Sequence, residues 1–161
     1  MIAELKKDGN IELELRRRFP FPRKMVFEAW VNKDHLVKWM GPTPDINLAV
    51  TEIDAAVGGS YRFGFEEKNC SDGISYVHGE YIEISPYDKL AFTWIWEAPL
   101  EEAGVETLVT VEFFETDSGT EILLTHQRFA TEEACEKHRM GWGGTFDKLN
   151  NRLPEISKQG V

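Results

Sequence analysis

The chain has 161 residues, of which 42% are hydrophobic, 29% charged and 12% aromatic, the composition of one ordinary globular domain. Its 18 Lys and Arg stand against 28 Asp and Glu, a net charge of −10 that a phosphate backbone would repel, so nucleic-acid binding is not expected. Apolar runs are too short to cross a bilayer, the first residues lack the apolar core of a secretory signal, and two cysteines, Cys70 and Cys135, make no disulfide framework; a reduced, cytoplasmic protein is expected.

Residues 10–19 alternate, with Ile11, Leu13, Leu15 and Phe19 on one face, and predict a half-buried strand that Pro20 and Pro22 stop. Val26, Phe27, Trp30 and Val31 then fall at helical spacing over residues 23–31. A second short helix is predicted from Lys33 to Met40, capped by Asn32, with Asp34 in its first turn. Gly41-Pro-Thr-Pro44 ends it.

Six strands are predicted next: 46–55, 60–66, 75–84, 89–97, 106–115 and 120–128. Turn signals separate them at Val57-Gly-Gly59, Asn69-Cys-Ser-Asp-Gly73, Ser85-Pro-Tyr-Asp88, Glu101-Glu-Ala-Gly104 and Asp117-Ser-Gly119. Thr131 caps a last helix that is predicted to stop before Pro154, with His138, Trp142, Thr145, Phe146, Leu149 and Leu153 in one stripe. Gly141, Gly143 and Gly144 sit in its middle, where each glycine costs roughly 1 kcal/mol against alanine, and so predict a close approach or a bend. The order β-αα-β6-α gives an α+β class: one long antiparallel sheet with a long C-terminal helix, in a single domain over 1–161 with its core at about 10–153.

Chemistry-bearing motifs are sparse. Cys135 and His138 share a helix face but are only two ligands, so no metal is expected. Neither a nucleophile elbow nor a phosphate or dinucleotide loop is present, and no cofactor is expected. His126 lies on the apolar side of its strand, and Tyr76, His78 and Glu80 share a face of another. Residues 90–127 hold eight acids and no Lys or Arg, read as a solvated hairpin surface with no part in binding. The strongest signal is aromatic: a curved sheet lined by these rings and facing a helix rich in glycine is the lining expected of an apolar cavity.

Several blocks, in order, resemble one family. They are Phe21-Pro-Arg-Lys-Met-Val-Phe-Glu-Ala-Trp30, His35-Leu-Val-Lys-Trp-Met-Gly-Pro42, Asp54-Ala-Ala-Val-Gly-Gly-Ser-Tyr-Arg62, His78-Gly-Glu-Tyr-Ile-Glu-Ile-Ser-Pro86, Leu90-Ala-Phe-Thr-Trp94, Gly119-Thr-Glu-Ile-Leu-Leu-Thr-His126 and Gly141-Trp142 with Leu149. Together they are similar to proteins like the activator of heat-shock protein 90 ATPase, within the START-like (SRPBCC, Bet v 1-like) superfamily. Met40 and Ala55-Ala-Val57 depart from that pattern, which often has a second tryptophan and an Arg-Pro pair there.

The resemblance implies a helix-grip fold, a curved sheet around the C-terminal helix with a cavity between them. It implies a ligand site at Trp39, Tyr61, Phe63, Trp94, Phe113, His126, Trp142 and Phe146. The expected partner is a small hydrophobic molecule rather than nucleic acid or a membrane; homodimerisation is left open. The alternatives are a cyclase, dehydratase or hydrolase using His126 or an acid as proton carrier, and a co-chaperone-like module. Eukaryotic activators join the similar domain to an additional N-terminal one, for which 161 residues leave no room, so a chaperone partner ranks last.

Overall fold

The structure, a computed structural model, describes residues 4–5, 11–68 and 73–159. Eight strands form one antiparallel sheet among these residues: β1 (Glu4–Leu5), β2 (Ile11–Phe19), β3 (Ile46–Ile53), β4 (Ser60–Glu67), β5 (Ile74–Ser85), β6 (Lys89–Trp96), β7 (Thr107–Thr116) and β8 (Gly119–Phe129). Their spatial order is β1-β2-β8-β7-β6-β5-β4-β3. Three helices complete the fold: α1 (Arg23–Val31), α2 (Lys33–Trp39) and α3 (Glu132–Gln159). This is the α+β helix-grip arrangement. Consecutive strands from β3 to β8 are hairpin neighbours, and β2 returns the chain start to the far side of β8. Register shifts at Ile11/Leu13, Leu48/Val50 and Tyr81/Glu83 insert bulges, and bulges bend strands.

Local chemistry accounts for the element ends. Asn32 Oδ1 accepts from the backbone N–H of Asp34 and His35, which caps α2. Thr131 Oγ1 accepts from Ala134 N–H at 3.0 Å and starts α3. The predicted turn at 69–73 lies, but for Gly73, outside the described residues, as does Cys70. Two elements differ from the sequence reading. The short strand Glu4–Leu5 is additional, pairing with β2 at Glu12 and Ile11. The last helix does not stop before Pro154 but runs through it to Gln159. Proline there removes one backbone bond, to the carbonyl of Asn150, which is an exposed residue where water can replace the lost partner. The extra turns carry Ile156 into the core beside Leu153, at 1% exposure, and that burial offsets the lost bond.

The core is a single cluster between sheet and helices. Trp30 of α1 lies between α2 and α3, edge-on to Trp39 at 4.8 Å and stacked at 6.0 Å with Trp142. Phe19, Phe113 and Phe146 close the β2–β8 half. Among the described residues Lys148 is the one buried lysine, 6% exposed. Its Nζ donates to Thr43 O, Ile46 O and Asn47 Oδ1 at 3.2, 3.0 and 2.6 Å, one acceptor for each of its three protons. Burial lowers its pKa from the usual lysine value. The bonds tie α3 to the connection between α2 and β3. Lys148→Met should therefore destabilise by about 1–3 kcal/mol in urea melts, since methionine keeps the stem but leaves three acceptors unmet. A variant as stable as the parent would show that water replaces the ammonium.

Candidate functional site

α3 packs closely on β2 and β8 and on the two short helices, and stands off from the β4–β6 half of the sheet. The space left there is a cavity of about 410 Å³, with a second of about 170 Å³ beside it. Strand alternation brings Trp94 and Trp96 of β6, and Phe65 of β4, to the concave face. The α3 stripe supplies His138, Gly141, Trp142 and Thr145. Trp94, Trp96 and His138 border both cavities.

The mid-helix glycines now separate by role. A methyl group at Gly144 would lie 2.0 Å from Pro42 O, so α3 can meet the α2–β3 connection only without a side chain there. At Gly141 it would meet only Pro42 Cβ, at 3.9 Å, so this glycine leaves the cavity wide. At Gly143 it would meet nothing within 4 Å, and the structure offers no packing reason for glycine at that position.

Two hydrogen-bonded chains hold the wall. Trp142 Nε1–H donates to His126 Nδ1 at 3.0 Å. Thr107 Oγ1–H donates to Trp94 O at 2.6 Å, which leaves the Thr107 Oγ1 lone pairs to accept from His126 Nε2–H at 2.8 Å. In the second chain His138 Nδ1–H donates to Ala134 O at 2.7 Å, and Nε2 accepts from Trp96 Nε1–H at 2.8 Å. Both rings are therefore neutral. Burial lowers both histidine pKa values, that of His126 strongly, and His138 at a ring distance of 5.0 Å adds to the effect on His126. Among the described residues one donor of the wall has no partner: Trp94 Nε1, in a residue 5% exposed.

Of the eight residues expected at the site, Trp94 and Trp142 line the larger cavity. Trp39, Tyr61, Phe63, Phe113 and Phe146 are buried in the core and border neither cavity. Tyr61 donates its hydroxyl to Thr93 O at 2.5 Å, and burial raises its pKa. His126 is fully buried, one side chain behind the wall, reached through Trp142 and Thr107. The wall residues absent from the expected set include Phe65, Trp96, His138, Glu67, Glu102 and Lys137. Phe65, Trp96 and His138 were on the right faces by periodicity; their place at the open end of those faces carries no local sequence signal. Glu102, half-exposed in the β6–β7 connection of the acidic stretch, borders both cavities.

The shared face of Tyr76 and His78 belongs to the opposite, convex side. There Arg62 makes two bonds to Glu97, at 3.0 and 2.9 Å, and lies 3.7 Å above the Tyr76 ring. His78 Nδ1 is 2.9 Å from Glu97 Oε2. The Arg62 bonds hold the Glu97 carboxyl below its ordinary pKa, against a smaller opposing effect of burial. Glu80, the third residue of that face, is exposed. Among the described residues no three His, Cys, Asp or Glu are grouped to hold a metal, and no helix is long and apolar enough to cross a membrane.

Comparison with known proteins agrees with this fold. The sequence model of the family described as Activator of Hsp90 ATPase homolog 1-like protein matches residues 20–153. No curated protein matches the chain significantly. Similar solved structures include an AHSA1 protein from Silicibacter pomeroyi, at 22% identity and TM-score 0.78, with 89% of this chain and 97% of that one covered. A protein from Chromobacterium violaceum matches at 23% identity and TM-score 0.76, covering 88% and 96%. A protein of unknown function from Staphylococcus aureus matches at 24% identity and TM-score 0.68, covering 93% and 96%. At these identities the likeness concerns the fold.

Proposed function

Given that the chain belongs to the family of Activator of Hsp90 ATPase homolog 1-like proteins, we propose that it binds a small apolar molecule between its sheet and its C-terminal helix. The observation that carries this reading is the cavity of about 410 Å³ walled by Trp94, Trp96 and Trp142, a volume and lining of the kind that small ligands fill. Holding is favoured over proton transfer because His126 and His138 already use both ring nitrogens.

Mass spectrometry of small molecules released from native protein tests the reading, alongside titration with an environment-sensitive apolar dye. A carried apolar compound, or dye binding that this compound displaces, is the expected result. Protein that carries nothing and leaves the dye unbound would overturn the proposal.

A further inference from the structure

We propose that the Trp96–His138 pair is the length stop of the site: it closes the larger cavity at one end, so the occupant is a compact apolar molecule, and the smaller cavity is a continuation that longer molecules are kept from entering. The proposal rests on the binding reading above and says which apolar molecules the site takes. The two cavities lie in series along α3. Glu133 and Ala134 line the smaller one, Gly141, Trp142 and Thr145 the larger, and His138, between them in the chain, lines both. From Ala134 to Thr145 the helix advances about 16 Å. The aromatic neighbours repeat this order. Trp96 lines both cavities; Phe65, with its ring centre 5.9 Å from that of Trp96, lines the larger, and Phe129, 4.9 Å from the His138 ring, lines the smaller.

At this boundary Trp96 Nε1–H donates to His138 Nε2 at 2.8 Å, a bond from the sheet side of the space, on β6, to its helix side, on α3. A stop must be rigid, and both rings are held from a second direction. His138 Nδ1–H is tied to Ala134 O at 2.7 Å, so the imidazole is fixed at both nitrogens. The Trp96 indole stands edge-to-face against Trp94, with ring centres 5.6 Å apart. A ligand that passed from one cavity into the other would have to part this bridge and leave an indole donor and an imidazole acceptor unmet, a penalty of about tenfold in affinity. The first methylene beyond the bridge returns about fourfold, so lengthening a ligand past this point loses more than it gains.

Primary alcohols from butanol to dodecanol, titrated by calorimetry against the intact protein at neutral pH, measure the stop. Affinity is expected to rise about fourfold per methylene while the chain fills the larger cavity, and to stop rising within the series. His138→Ala and Trp96→Leu each remove one half of the bridge, and in each the rise should continue to longer alcohols than in the parent. The readout is the chain length at which affinity stops rising, so it does not depend on how tightly any one alcohol binds. Alanine suits a helix interior, and Trp96 is only half-buried, so both variants are expected to fold. The parent series tests the proposal whatever the variants do: affinity that climbs unbroken through dodecanol overturns the stop. A folded variant of either kind that keeps the parent's stopping length overturns it too. Both outcomes leave the cavity reading intact, whereas failure of every alcohol to bind overturns both.

Discussion

Trp142→Ala is expected to lower the unfolding free energy by about 3–5 kcal/mol and to change apolar-dye binding at the same time. The indole has two roles. On its core side it stacks on Trp30 at 6.0 Å and supplies the hydrogen bond to His126 Nδ1, which would become a buried acceptor without a donor. On its other side it borders the cavity, where removing the ring merges new space with old. Because part of its surface already faces that space, the loss should fall toward the lower end of the range. Trp142→Phe separates the roles: it keeps most of the packing and forfeits the hydrogen bond, at about 1–3 kcal/mol. Denaturant melts and dye titrations of both variants provide the check. A loss at the upper end with unchanged dye binding would place Trp142 wholly in the core and remove it from the cavity wall.

Stability should also fall steeply on mild acidification. In the unfolded chain His126 and His138 regain ordinary pKa values near about 6.5. In the fold both values are lowered, first by burial, and protonation would aim a new N–H at the indole N–H of Trp142 or Trp96. Above about pH 6.5 both states hold these rings neutral and the full stability is present. As pH drops below that value the unfolded state takes up protons that the folded state refuses. Each ring then removes up to about 1.4 kcal/mol per pH unit, until pH reaches its folded-state pKa. Urea melts between neutral pH and about pH 5 should show this slope, and His138→Gln should reduce it. Stability that stays level across that window would contradict the neutral hydrogen-bonded pairs.

The fold was legible because its signals are local. Alternation at Ile11, Leu13, Leu15 and Phe19 specifies which face of β2 is buried, and Asn32 and Thr131 mark helix starts through their own side chains. Pro154 misled because a local helix-stopping signal competes with the burial of Ile156 two residues later, and burial prevails. Lys148 gave no signal at all. A lysine within an amphipathic helix reads as solvated, and its acceptors at Thr43, Ile46 and Asn47 lie about a hundred positions away in the chain.

The sequence by itself determined the element order from β2 to α3, the inward faces of the strands, the family and the aromatic character of those faces. Only the tertiary structure decided which of those aromatics are core and which are wall. Tyr61 and Phe65 are four residues apart on the same face of β4, yet Tyr61 packs against Tyr81 and Phe92 while Phe65 borders the cavity. Periodicity assigns a residue to a face but says nothing about its distance from the facing element. That distance is set where α3 meets the sheet. Gly144 against Pro42 and Lys148 in its carbonyl cradle hold the helix close at one end, and over Trp94 and Trp96 it stands away, leaving the cavity between them.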